Sequence, residues 1–220
     1  MGRLYLVRHG ETQWNSENTY AGVTDVPLNE TGREQAKRAA LFLAGRSISA
    51  VYCSDLCRAS ETAQIIAVQL GLCIRVAREL REVDYGEWEG LTREQIEERD
   101  GILFAAWQKD AMSIRIPGGE TFAELRHRAL PRFLRIAEEH QDGNVVVVAH
   151  KCVNRVILCS LLGVDVNRYR QLGQDNACIN VILRRPDGSF VVEKINERCH
   201  LRAQPARPAE EAPKCTFQEQ

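Results

Sequence analysis

The sequence predicts an α/β domain, a three-layer α/β/α sandwich around a mostly parallel sheet, with an antiparallel hairpin at one edge. Three observations lead there. Short apolar runs at residues 4–7, 50–53 and 145–149 break abruptly into polar residues, as buried strands do at their carboxyl ends. Segments of helical period, opened by capping residues and closed by glycine, alternate with those runs. Near the carboxyl end, two β-rich runs flank Pro186-Asp187-Gly188, the signal of a hairpin.

Taken in order, the run at 4–7 is a strand that ends in Arg8-His9-Gly10. Thr31 with Glu34 reads as a capping box, and Ala36, Ala39, Ala40 and Leu43 follow at helical spacing up to Gly45. A second strand at 50–53 leads into a helix with Ala59, Ala63, Ile66, Ala67 and Leu70 on one face, stopping at Gly71, so Arg58 falls in its first turn. Residues 80–120 are rich in charge, Gly and Trp without a dominant period. They read as a partly helical insertion that shapes a pocket above the sheet rather than as core. Thr121 with Glu124 opens a helix carrying Leu125, Ala129, Phe133 and Ile136 inward, with a kink expected at Pro131. The strand at 145–149 ends at His150, and Val153, Val156, Ile157 and Leu161 mark the next helix before Gly163. The hairpin at 178–183 and 190–195 forms the sheet edge, a surface that suits pairing across a homodimer. The domain thus spans residues 1–201, and Pro205, Pro208 and Pro213 among Ala, Glu and Gln make 202–220 a mobile tail.

At 220 residues the chain suits one domain. Its 29 Lys and Arg balance 30 Asp and Glu, which excludes the broad basic field of a nucleic-acid or anionic-membrane binder. No apolar run approaches the roughly 18 residues of a membrane span. Eight cysteines without a C-x-x-C pair read as small reduced hydrophobes, and with no signal-peptide pattern at the start they point to a cytoplasmic protein.

Ligands of a parallel sheet bind beyond the strands' carboxyl ends, where Arg8, His9, Arg58 and His150 all fall. Four basic groups converging there call for a bound dianion such as phosphate. The stretch Leu6-Val7-Arg8-His9-Gly10-Glu11-Thr12 with Trp14-Asn15 resembles the signature of the histidine phosphatase superfamily, also called phosphoglycerate mutase-like. The similarity extends through Gly22, residues 28–32, 54–62 and 80–90, the turn at 118–121 and Ala149-His150.

The resemblance implies a small bacterial-type phosphatase that works without a metal or cofactor on a small phosphorylated metabolite. His9 is then the nucleophile that becomes phosphohistidine, and Arg8, Arg58, His150 and Asn15 stabilise the transferring phosphoryl group. The resemblance points to Glu82 as general acid and then base, with Glu79, Asp84 and Glu87 as rivals in the same acidic stretch. Trp88 reads as loop packing, and Gln174-Asp175-Asn176 as a structural turn before the hairpin. Lys151 stands where many relatives have Gly, either facing solvent or adding a cation to the phosphate pocket. Two alternatives share the motifs. One is a cofactor-dependent phosphoglycerate mutase, although only 68 positions separate Glu82 from His150, fewer than in dedicated mutases. The other is a non-catalytic phosphate-binding module, against which the complete set of catalytic residues speaks.

Overall fold

A computed structural model describes residues 2–202, so all but the first residue of the expected tail lies outside the described residues. Six strands form one sheet in the order β3-β2-β4-β1-β5-β6. They are β1 (Arg3–Arg8), β2 (Ile48–Cys53), β3 (Ile74–Val76), β4 (Asn144–Ala149), β5 (Ile179–Arg184) and β6 (Phe190–Glu197). The pairs β1/β4, β2/β4 and β2/β3 are parallel; β5 and β6 are the antiparallel hairpin, with β5 alongside β1. Among the described residues the α-helices are α1 (Gln13–Ser16), α2 (Glu30–Ala44), α3 (Cys57–Leu70), α4 (Arg93–Lys109), α5 (Phe122–Glu139) and α6 (Lys151–Leu162).

Alternation along the central strands builds the three layers. Tyr5, Val7, Val146 and Val148 face α2 and α3 through Ala39, Leu43, Ala63 and Ile66. Leu4, Leu6, Val145 and Val147 face the opposite layer, which includes Leu125 and Phe133 of α5 and Val156 of α6. The fold class is therefore the one the alternating pattern predicted.

Three local expectations are corrected. Asn29, not Thr31, caps α2. Its Oδ1 accepts from the Gly32 N–H at 2.8 Å while its Nδ2 donates to Glu11 at 2.8 Å, so the helix starts earlier than the capping-box pattern indicated. Helix α5 runs unbroken across Pro131. Pro131 and His127 lie on its exposed side, where the carbonyl that proline leaves unbonded can turn to water. Residues 80–120, finally, contribute to the core. Leu80, Val83, Trp88, Ile96, Phe104, Trp107 and Ile116 are all buried in the cluster on the α5/α6 face. The rings of Trp88, Phe104, Trp107 and Phe122 meet at centroid distances of 5.5–5.9 Å. Helix α4 also breaks its own period at Asp100, where φ is −130° and ψ 33°. That residue accepts the buried Trp88 Nε1–H at 2.8 Å, which removes the cost of leaving the indole N–H dry and unpaired. The short edge strand β3, not foreseen from the sequence, is exposed along most of its three residues.

Candidate active site

Strands β1 and β4 are neighbours, and their carboxyl ends deliver the site. The His9 N–H donates to the Ala149 carbonyl at 3.1 Å, which continues the ladder one step past the strands and sets His9 beside His150. The two rings lie 5.1 Å apart at 59°. Arg8, the last residue of β1, and Arg58, in the first turn of α3, complete the group. All four are buried, at 7, 3, 1 and 0% exposure for Arg8, His9, Arg58 and His150.

The His9 ring is held in one tautomer. Its Nδ1 sits 2.7 Å from the Gly10 carbonyl, which can only accept, so Nδ1 carries the proton and Nε2 keeps its lone pair for the cavity that His9 lines. The backbone around it is equally constrained. A Cβ on Gly10 would strike the Gly32 carbonyl, and the Gly10 N–H donates to Thr62 Oγ1 at 3.0 Å. Thr62 in turn donates to the Arg58 carbonyl at 2.7 Å, coupling the His9–Gly10 loop to the turn that carries Arg58.

The guanidinium groups are anchored by carbonyls. Arg8 Nη1 donates to the Gln174 carbonyl at 2.7 Å, while its buried Nε has no partner among the described residues. Arg58 donates to the carbonyls of Gly22 at 2.6 Å and Thr24 at 2.9 Å. Neither arginine forms an ion pair with a carboxylate among the described residues, and burial pulls both pKa values down from their ordinary level. His150 has both ring nitrogens buried without a hydrogen-bond partner among the described residues. Buried charge and orphaned donors of this kind are costly unless an anion satisfies them.

Gly22 belongs to this support rather than only to the cavity wall. Its φ is +49°, and a Cβ there would collide with the Glu89 carboxylate. Glu89 accepts from the N–H groups of Val23 at 2.7 Å, Thr24 at 2.9 Å and Tyr85 at 3.2 Å, and from the Thr24 hydroxyl, so it clamps the loop whose carbonyls hold Arg58.

Asn15 lines the cavity with its amide oriented by its neighbours. Its Oδ1 accepts from Thr12 N–H at 3.2 Å and from Asn176 Nδ2 at 2.8 Å, leaving Nδ2 as a donor. Glu82 lines the same cavity, and its carboxylate accepts from the N–H groups of Val83, Cys152 and Val153 at 3.0, 3.0 and 3.2 Å. The rivals Glu79, Asp84 and Glu87 do not line it. Lys151 does, so it is not a purely solvent-facing helix start.

Sequence reasoning gave residues 174–176 only a structural turn. The turn is present, with the Cys178 N–H bonded to the Asp175 carbonyl at 3.1 Å, and the segment does more: the Gln174 carbonyl anchors Arg8, and Asn176 lines the cavity and bonds Asn15. The Gln174 side chain is itself fixed by Asn154 at 3.2 Å and by Asn180 at 2.6 and 3.0 Å. Polar residues beside a buried strand, Asn180 within 179–183 and Asn154 within an apolar helix face, were the available signal.

Desolvation first, then Arg58, holds the pKa of both His9 and His150 well below that of a free histidine; Arg8 adds to this at His9 and the neighbouring His9 ring at His150. Both imidazoles are therefore neutral at pH 7. Below about pH 6.5 the unfolded chain takes up protons that the folded chain refuses, so stability must fall as pH drops through that value, by up to about 1.4 kcal/mol per pH unit for each ring. Calorimetry between pH 7.5 and 5 checks this. A flat melting temperature in the wild type, or an equal slope in the His150→Asn variant, would contradict it.

The profile of the histidine phosphatase superfamily (branch 1) matches residues 4–198. Phosphoserine phosphatase 1 of Hydrogenobacter thermophilus is 34% identical over 201 residues, spanning 91% of this chain and 95% of the relative. Adenosylcobalamin/alpha-ribazole phosphatase of Escherichia coli is 31% identical over 180 residues, spanning 82% and 89%. Among solved structures, mycobacterial glucosyl-3-phosphoglycerate phosphatase complexed with VO3 aligns with a TM-score of 0.82 at 31% identity, covering 89% of this chain and 99% of that one.

Proposed function

This chain belongs to the histidine phosphatase superfamily, and on that premise we propose that it hydrolyses a phosphate monoester of a small metabolite in two steps through a phosphohistidine at His9. The observation that carries this reading is the Nδ1–Gly10 hydrogen bond, which leaves a neutral imidazole with Nε2 as the nucleophile. Relatives named as phosphatases of phosphoserine, alpha-ribazole and glucosyl-3-phosphoglycerate support a small phosphorylated metabolite as the substrate.

In the first step Nε2 attacks phosphorus, the ester P–O bond breaks, and Glu82 gives its proton to the departing alkoxide. Arg8, Arg58, His150 and the Asn15 amide donate to the equatorial oxygens as negative charge spreads over them, the interaction that lowers the barrier most in such transfers. In the second step Glu82 takes a proton from water, which attacks phosphorus and breaks the Nε2–P bond, releasing phosphate and restoring neutral His9. A cleft bordered by exposed residues such as Asn18 and Lys151 favours water as the second acceptor over retention of the first product.

Quenching the wild type during turnover of a ³²P-labelled ester tests this. The label is expected on His9, acid-labile and stable to base; label on a serine or cysteine would end the reading.

A further inference from the structure

The cavity occupies about 710 Å³, far more than one phosphoryl group fills and within the usual range for a whole small ligand. Its charge is uneven. Lys151 and Arg155 stand one turn apart on α6, so their side chains leave the same face of the helix, and Arg170 joins them from the 3₁₀ turn at Val166–Gln171. None of the three has a carboxylate partner among the described residues. Two of them are held in place: Arg155 Nε donates to the Leu172 carbonyl at 2.7 Å, and Arg170 Nη1 to the Gln108 carbonyl at 2.9 Å. The Arg170 guanidinium also lies over the rings of Tyr169 and Trp107, at 4.4 and 4.8 Å from their centroids. Trp107 lines the cavity too, and its buried Nε1–H has no partner among the described residues.

Arg8 and Arg58 already match the two negative charges of a phosphate monoester, and on this wall, among the described residues, only Glu82 opposes the cations. The other carboxylates of the cavity, Glu17 and Glu94, belong to the lip formed after α1 and at the start of α4, where Thr19 pairs with Thr92; Arg93 on that lip is bonded to Glu97. Once phosphate is bound, three cations on the α6 side thus face at most the single carboxylate of Glu82.

We propose that Lys151, Arg155 and Arg170 form a second anion subsite, which binds a carboxylate on the leaving group of the substrate. This deepens the phosphatase reading and rests on it: the substrate is a phosphorylated hydroxy acid rather than a phosphate ester with a neutral remainder. Two anchored guanidinium groups present planar pairs of donors to a carboxylate, and their partial immobilisation lowers the entropy lost on binding. Lys151 lines the same cavity, its ammonium pKa lowered by desolvation first and by Arg8 next.

The test compares kcat/KM of the full chain on 3-phosphoglycerate, glycerol 3-phosphate and p-nitrophenyl phosphate, in the wild type and in Lys151→Gln and Arg155→Gln. The wild type is expected to favour 3-phosphoglycerate over glycerol 3-phosphate by tenfold or more, about the value of one charge-assisted hydrogen bond. That ratio is expected to fall at least fivefold in either variant. Turnover of some of these esters with a wild-type ratio near one overturns the subsite, as does a ratio unchanged in both variants. No turnover of any of the three would instead sink the hydrolase reading beneath it. Because the first ratio is read on the wild type, the proposal stays falsifiable even where a variant does not fold.

Discussion

Replacing His9 with Ala is expected to reduce kcat by at least about a thousandfold, since loss of an activated nucleophile has cost up to about a million-fold in enzymes that work by covalent transfer. The loss should fall on chemistry and not on binding. Arg8 and Arg58 keep their anchors when the imidazole is removed, because those run to Gln174, Gly22 and Thr24 rather than to His9. Inorganic phosphate should therefore still raise the melting temperature of His9→Ala. Activity within tenfold of the wild type would show that another group attacks phosphorus. Loss of the phosphate-induced shift would instead show that the imidazole holds the cradle together.

Glu82→Gln carries the second large effect. General acid catalysis contributes about 100- to 10,000-fold, and the variant should lose that much on an alkyl phosphate, whose alkoxide needs a proton. On p-nitrophenyl phosphate the first step needs no such proton, so kcat/KM, which reports only the steps up to release of the leaving group, should fall much less there. The contrast matters because Gln also disturbs the local frame: one carboxylate oxygen becomes an NH₂ facing the backbone N–H groups that Glu82 now accepts. A misplaced helix end would slow both esters alike. Equal losses would therefore mean that Glu82 positions α6 without transferring the proton. Cys152, which lies against Glu82 and bonds the Tyr85 hydroxyl at 3.2 Å, is no substitute acid-base group, because desolvation first and then Glu82 push its thiol up to about 11.

Much of this protein was legible in its sequence because burial imposes a period. The all-apolar run at 145–149 belongs to a strand covered on both faces, and the spacing of Ala36, Ala39, Ala40 and Leu43 to a helix pressed on the sheet. Once strands and helices alternate, the residues just past the strands' carboxyl ends are committed to the ligand-binding edge, which is how Arg8, His9, Arg58 and His150 could be grouped across 142 positions. Only the tertiary structure decided what holds them. The Gln174 carbonyl reaches Arg8 from 166 residues away, and Glu89 clamps the loop under Arg58 from 65 residues away, through hydrogen bonds that leave no trace in spacing. The same holds for the aromatic core of residues 80–120. Trp88, Phe104 and Trp107 pack from a 3₁₀ turn and an interrupted helix, whose side chains follow neither the 3.6- nor the 2-residue repeat by which buried residues announce themselves.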